Sequence, residues 1–544
     1  MAWKDELAVI SQYRNAYVLA LSGAMGSIFY GWDIGLIGGV LSLASFQEYF
    51  GLDNASASVK ADLSGNIVSV LQGGCFFGAL AMGYFSGRFG RKPCLIASGI
   101  IYLIGSLIQS IVGLGSSQKI GLRVLYFSRF VGGVGVGMVS ALVPAYISEC
   151  TPRAIRGRCT GMIQLANNIG IMLSFWVNYS ASKDIPHGEM QWRVPFIVQM
   201  VPGVLFTIAM LFQPESPRWL VEHQQYDRAA RTLAFVARKS VDDETVQATL
   251  EEIKSDFEGK QKLPLLNQFV LMGESRSIAL RCFIPSLVMF FQQWTGTNAI
   301  NYFSPQIFAS LGISGTTSGL FATGIYGVVK VVAVAVVLAF AVEGMGRKRC
   351  LIIGGIGQAA TMLWIGGYSA VHTSGTVVPA SYVSIVAVYL YAVAYCVGFG
   401  PLPWVVAGEV APNHLRTVAL SLAIGVNWLF SFTVSKLTPI MLNEITYGTF
   451  LLFGLCCVIM TIWTYVFLPE TSGYALEDIK YLFEKDIILR SLQDAPGGAI
   501  FLRGKRAVPV EELIAQDAHR SLYIDDSDVL RKSPEDEITA EPRA

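Results

Sequence analysis

Carboxamides and a phenol crowd into one otherwise apolar run, Phe291-Gln292-Gln293-Trp294-Thr295-Gly296-Thr297-Asn298-Ala299-Ile300-Asn301-Tyr302, with Pro305 close behind. A carboxamide donates and accepts together, which matches the two-way hydrogen bonding of a sugar hydroxyl without the desolvation cost of a charge. For a single amide, bonding between helices is the competing use; the density of Gln292, Gln293 and Asn298 favours a ligand. A second set, Gln164, Asn167 and Asn168, places Gln164 and Asn168 on one helical face at i, i+4. Trp404 and the pair Asn427-Trp428 have the type of ring that stacks on the C–H face of a sugar, packing being the alternative. Asp33 and Arg129 are ionisable groups in apolar runs, where charge is costly and usually functional. A carboxylate paired in one state and desolvated in another changes its proton affinity; a static ion pair is the other reading. Lys330 lies mid-run with no partner legible nearby.

The elements that must position these groups are membrane helices. The chain is 53% hydrophobic and 15% charged, with mean hydropathy +0.50, too little polar surface for a soluble globule. Runs long enough to cross ~30 Å of hydrocarbon, about 20 residues each, fall near 17–41, 66–87, 93–114, 122–147, 159–180, 194–213, 280–310, 319–342, 350–370, 383–408, 418–443 and 448–468. Twelve spans in two groups of six predict an all-α membrane protein. Span 1 runs outward and span 4 inward, so Asp33 and Arg129 reach similar depths, roughly 11–12 Å at about 1.5 Å per residue.

Basic residues cluster after the even spans: Arg88, Arg91 and Lys92 after span 2, Arg153, Arg156 and Arg158 after span 4, Arg347, Lys348 and Arg349 after span 8. Positive charge near span ends marks the cytoplasmic side, so both termini are expected inside. The division is residues 1–16 as a cytoplasmic N-terminus, 17–213 and 280–473 as six-helix halves, 214–279 as a cytoplasmic linker with short amphipathic helices, and 474–544 as a largely disordered cytoplasmic tail. The tail carries acids at Asp525, Asp526, Asp528, Glu535 and Glu537. Residues 1–15 lack the apolar core and cleavage site of a signal peptide, so the first span is expected to direct insertion. Asn54-Ala55-Ser56 faces outside on this topology and reads as a glycan acceptor.

A net charge of +1 gives no bulk argument for nucleic acid. The 9 cysteines show no metal-ligand spacing and read as small apolar fillers. No nucleophile with its base and no cofactor motif points to an enzyme.

The halves echo one another in the same order. Glu149-Cys150-Thr151-Pro152-Arg153-Ala154-Ile155-Arg156 returns as Glu409-Val410-Ala411-Pro412-Asn413-His414-Leu415-Arg416, Gly90-Arg91-Lys92 as Gly346-Arg347-Lys348, and Pro214-Glu215 as Pro469-Glu470. Such repeats build transporters whose halves rock around a central site.

Over about 17–473 the chain resembles the sugar porter family of the major facilitator superfamily, particularly its fungal members. The resemblance rests on Pro214-Glu215-Ser216-Pro217-Arg218-Trp219-Leu220, Pro469-Glu470-Thr471-Ser472-Gly473, Arg129 with Gly132-Gly133-Val134-Gly135-Val136-Gly137, and the Gln-Gln-x-x-Gly-x-Asn run of span 7. It implies the major facilitator fold and monosaccharide binding by Gln164, Gln292, Gln293, Asn298, Trp404 and Asn427. It also implies a cytoplasmic lock among Glu149, Arg156, Glu215, Glu409 and Arg416, with Arg88 and Arg91, holding the halves together when the outer side is open. An aspartate at Asp33 resembles the proton symporters of the family rather than its facilitative carriers. Two departures stand out: Gly87 occupies a position where an aspartate is common, and Asn301 replaces a usual aromatic. The expected function is uptake of a hexose or pentose by alternating access with proton symport, by a single chain among membrane lipids and without a cofactor. A carrier of a polyol, quinate or sugar acid such as galacturonate is the first alternative, with Lys330 suiting an acid; a non-transporting sugar sensor is the second.

Overall fold

The computed structural model describes residues 11–113, 117–152, 154–257, 265–313, 315–341, 345–372, 378–412, 415–474, 478–484, 486–495 and 509–513. Arg153, Asn413, His414 and the tail acids named above lie outside the described residues. Hydrocarbon offers no partner to a backbone amide, so apolar runs of this length must bond within themselves as helices. Spans 1 to 6 are the helices Arg14–Ser42, Ala57–Phe89, Arg91–Ser110, Gln118–Cys150, Arg156–Asp184 and Glu189–Leu211, the last kinked at Gln199. Spans 8, 9, 11 and 12 are Thr316–Val336, Arg347–Val371, Arg416–Glu444 and Gly448–Phe467.

Two spans of the second half are broken. Span 7 consists of Arg276–Trp294 and Thr297–Ser310, separated by Gly296 at φ +85°, a left-handed conformation that glycine adopts without penalty. Span 10 stops at Val397 and resumes as Leu402–Val410, across Gly398-Phe399-Gly400-Pro401, where proline removes a helix donor. Span 8 ends in a wide π turn, Val337–Ala341, seated between Lys330 and the end of the span.

Among the described residues ten helices are long and apolar enough to cross a membrane. Spans 5 and 7 are absent from that set for physical reasons. Span 5 carries Gln164, Asn167, Asn168, Ser174 and Asn178, and span 7 is cut in two by its break.

Lipid supplies little drive for helix association, so close approach through small residues does much of the work. Spans 2 and 4 meet this way. A Cβ on Gly133 would run into the Leu71 carbonyl, and one on Gly137 into that of Cys75. Gly133→Leu should force the two helices apart and lower stability by ~1–3 kcal/mol, which thermal unfolding in detergent measures. An unchanged midpoint would contradict the close packing.

The halves pack along spans 2 and 11 and spans 5 and 8, and they also meet where span 1 lies against span 7. Ile34, Leu36, Ile37 and Val40 of span 1 share one buried cluster with Ile300, Tyr302, Phe303 and Ile307 of span 7. At Gly38 a side chain would strike the Tyr302 carbonyl.

The linker contains the helices Pro217–Glu222, Tyr226–Ala237, Glu244–Phe257 and Leu265–Leu271. Ile479–Leu482 and Ile487–Asp494 are helical, and the second is held by specific bonds. Lys348, wholly buried, donates to the Tyr465 carbonyl at 3.0 Å, to Ser491 Oγ at 2.5 Å and to the Ser491 carbonyl. Asp494 accepts from the Glu470 amide at 3.0 Å. The polar composition of this stretch hid a partner that lies far upstream in sequence.

Candidate functional site

The broken helices bring the amides together. Gln292 donates both Nε2 hydrogens to span 10, to the Phe399 carbonyl at 2.9 Å and the Gly400 carbonyl at 2.8 Å. Those carbonyls belong to the interruption of span 10, where the helix itself leaves acceptors over. Asn427 of span 11 donates to Gln292 Oε1 at 2.8 Å. Asn298 donates to Gln293 Oε1 at 2.6 Å and to Ser431 Oγ at 3.0 Å. Gln292 with Asn427, and Gln293 with Asn298 and Ser431, are therefore two neighbouring bonded sets that together draw on spans 7, 10 and 11. Gln292 is largely consumed in tying its set to the span 10 break, a role that spacing alone does not reveal.

Trp404 is half-buried against Met289, Ala407 and Ala423. Gln164, half-buried in span 5, receives the Asn168 amide on its backbone oxygen at 2.9 Å, so it and Asn168 do share a face. Trp428 crosses between the halves. Its Nε1 donates to Ser140 Oγ of span 4 at 3.0 Å, and its ring lies edge-on to Tyr30, centroids 5.4 Å apart.

Asp33 and Arg129 meet with both side chains fully buried, but loosely: Nη1 to Oδ1 is 3.5 Å. Arg129 Nε instead donates to the Ile67 carbonyl at 2.7 Å. Asp33 Oδ2 and Arg129 Nη2 have no hydrogen-bond partner among the described residues. A dry ion pair that wastes half of its bonding capacity is costly in either charge state, so a proton can shift the balance between states. Lys330 finds an amide rather than a carboxylate: its Nζ donates to Asn301 Oδ1 at 3.3 Å.

At one end of the bundle the two halves repeat one construction. Arg91 forks onto Glu149, with Nε at 3.0 Å and Nη2 at 2.9 Å, and Glu149 also accepts from Ser216 Oγ. Glu215 Oε1 takes the backbone N–H groups of Arg91 at 2.9 Å, Lys92 at 3.2 Å and Ser216 at 2.8 Å, an anion seated on the N-terminus of span 3. Burial raises the Glu215 carboxyl from its ordinary value, against the lowering by those N–H groups. In the second half Arg347 binds Glu409 at 2.8 and 3.1 Å, and Thr471 Oγ1 donates to Glu409 at 2.6 Å. Glu470 takes the N–H groups of Arg347 at 2.8 Å and Lys348 at 3.1 Å. Gly90 and Gly346 precede these helices at φ +100° and +84°, and a Cβ on either would collide with the carboxylate of Glu215 or Glu470.

Both of these ion pairs tie helices within one half. Glu409 meets Arg347, and Arg416 lies half-buried at the start of span 11. Arg156 donates to the Thr151 carbonyl at 3.4 Å. Arg88 stands apart, exposed, 3.5 Å from the Tyr84 hydroxyl and 5.8 Å from the Phe89 ring centre. Arg347 and Glu470 were missing from the expected set, although the Gly-Arg-Lys and Pro-Glu echoes were the signal that finds them.

Contacts between the halves toward the other end of the bundle also escaped notice. Lys436 of span 11 reaches Asp62 at 2.5 Å and Asn66 at 2.6 Å in span 2. Ser182 and Thr317 bond at 2.9 Å across spans 5 and 8, and Gln72 bonds the Tyr302 hydroxyl at 2.7 Å. Lys436→Ala should raise the share of outward-open molecules by no more than about fivefold, because an exposed pair contributes at most ~1 kcal/mol. The effect should shrink as salt rises. Labelling of a cysteine placed in the outer vestibule reads it.

Comparison with known proteins converges on one family. The model for "Sugar (and other) transporter" matches residues 19–483. A probable quinate permease of Aspergillus fumigatus is 34% identical over 484 residues, 87% of this chain and 88% of that protein. The quinate permease of Emericella nidulans is 33% identical over 481 residues, 87% and 89% of the two chains. Among solved structures, the proton:xylose symporter XylE bound to 6-bromo-6-deoxy-D-glucose superposes with a TM-score of 0.73 at 27% identity, covering 87% of this chain and all of that one. The inward-open form of XylE from E. coli gives a TM-score of 0.71 at 26% identity over 86% of this chain. A repeated six-span architecture, amides around two broken helices and these likenesses agree: the chain is a multi-pass membrane transporter, not an enzyme, and belongs to the sugar transporter family of the major facilitator superfamily.

Proposed function

We propose that this transporter works by proton symport, taking up a small polyhydroxylated ring, a hexose or pentose first, across the cell membrane with both termini cytoplasmic. The observation that carries the coupling is the loose Asp33–Arg129 pair with its two unpartnered atoms. Protonation of Asp33 releases Arg129 and favours one orientation of the cavity; deprotonation restores the pair and favours the other. Gln164, Gln293, Asn298 and Asn427 bond the hydroxyls, Trp404 offers a ring face, and Gln292 carries the signal to the span 10 break. The two cytoplasmic clusters keep each half rigid as it rocks, and Arg156 and Arg416 sit where the halves close. Asn54, exposed beside the Ser56 that caps span 2, accepts a glycan, which a mobility shift on endoglycosidase treatment checks.

A second reading replaces the neutral sugar by a quinate-like acid. It is favoured by the names of the fungal relatives and by Lys330 within a bond of Asn301. Uptake of radiolabelled sugars, polyols, quinate and galacturonate at two external pH values, with and without an uncoupler, tests both. Accumulation that collapses with the uncoupler supports the carrier; binding of a substrate that is never accumulated would make the protein a sensor and sink the proposal.

A further inference from the structure

Lys330 is 2% exposed in mid-span 8, far from either membrane surface. A buried ammonium demands counter-charge or a full set of acceptors. Among the described residues no carboxylate pairs with it, and one hydrogen bond is formed, to Asn301 Oδ1 at 3.3 Å. The rings of Tyr326 and Tyr395 lie 5.6 and 5.4 Å away and stabilise a cation only in part. Three N–H groups with one acceptor leave two directed at nothing.

The surroundings connect this group to both amide sets. Asn301 and Asn298 are one helical turn apart on the same face of span 7, and Asn298 bonds Gln293 and Ser431. Tyr395 is joined through its carbonyl to the Gly400 amide at 2.7 Å, and the Gly400 carbonyl receives Gln292. Lys330 thus stands at the edge of the hydroxyl-binding amides, with hydrogens to spare, in a place where water is scarce and charge is strong.

We propose that Lys330, oriented by Asn301 and flanked by Tyr326 and Tyr395, is a carboxylate subsite, so that the substrate is a monoanionic polyhydroxy ring acid bound by its hydroxyls on the amides and by its carboxylate on Lys330. This rests on the second reading above, the quinate-like acid, rather than on the neutral sugar, and supplies the group that binds its carboxylate. A neutral sugar leaves the ammonium uncompensated, so the acid is preferred by the charge it brings. Coupling stays with Asp33, and one proton carried with a monoanion makes the loaded step neutral, apart from the fixed charges.

The test uses the full chain in liposomes. Binding of quinate and of glucuronate is compared with binding of their methyl esters, and uptake of both acids with uptake of glucose, for wild type, Lys330→Met and Lys330→Arg. Wild type should bind each acid at least tenfold more tightly than its ester. Lys330→Met should erase that preference, bringing acid and ester to equal affinity, and Lys330→Arg should keep part of it. Equal binding of acid and ester by wild type overturns the subsite, as does a preference that survives Lys330→Met. Should Lys330→Met fail to fold, the wild-type comparison and Lys330→Gln still decide. Accumulation of glucose with no recognition of either acid would leave the carrier standing and this subsite refuted.

Discussion

Asp33→Asn should abolish accumulation against a gradient while leaving exchange down a gradient largely intact. Asparagine keeps the size and one oxygen of aspartate but has no proton to gain or lose, so Arg129 meets the same partner in every state. The wild-type pair is buried, bonded at 3.5 Å and short of one partner on each side. Removing its charge leaves the buried Arg129 guanidinium without a counter-charge, so the variant should also lose stability, by up to about 3–5 kcal/mol. The ratio of internal to external substrate should fall to about one, by the equilibrium condition for an uncoupled carrier. Initial rates in the variant should no longer respond to external pH, whereas wild type should slow as external pH rises and Asp33 is left unprotonated. Tracer uptake with and without an uncoupler measures both. Uphill, pH-dependent uptake in Asp33→Asn would remove Asp33 from the coupling step.

Gln292→Ala should cost more than any other single change among the amides. It deletes two donors to the Phe399 and Gly400 carbonyls and the acceptor of Asn427 at one stroke. Each buried group left unpaired costs about 1–3 kcal/mol, so the loss reaches several kcal/mol. Transport of every substrate should fall at least ~100-fold, the equivalent of about 2.7 kcal/mol, with a lowered midpoint of thermal unfolding. Asn427→Ala offers the contrast. It leaves Gln292 on span 10 and should raise KM with a small change in stability. If Gln292→Ala raises KM and leaves the unfolding midpoint in place, Gln292 is a plain substrate contact and its anchoring of span 10 is wrong.

The legible part of the fold was the part lipid enforces. Spans 1 to 12 follow from run length, and the breaks in spans 7 and 10 follow from Gly296 and from Pro401 and Pro403, because backbone constraints are local. Even the two spans that fall short of simple length and apolarity declare themselves by their amides. Asp33 and Arg129 were paired from depth alone, since opposite span directions convert residue counts into height. Partner choice was less legible. Glu409 takes Arg347 rather than Arg416, although both arginines lie near the same end of the bundle; the fork onto Glu409 depends on the position of span 9, which no local pattern encodes. The helix Ile487–Asp494 looked like tail because its bonds run to Lys348 and Glu470.

By itself the sequence determined the membrane class, the twelve runs, the duplicated halves and the family, since apolar length, repeat spacing and motifs are properties of the chain read along its length. Only the tertiary structure decided how the polar side chains divide their bonds: Gln292 onto the span 10 carbonyls, Lys330 onto an amide with hydrogens left over, Lys436 onto Asp62 and Asn66 across the seam between the halves. The reason is that amides and ammonium groups have several partners of nearly equal energy, and the choice among them falls to the packing of helices from 29 to 374 residues apart.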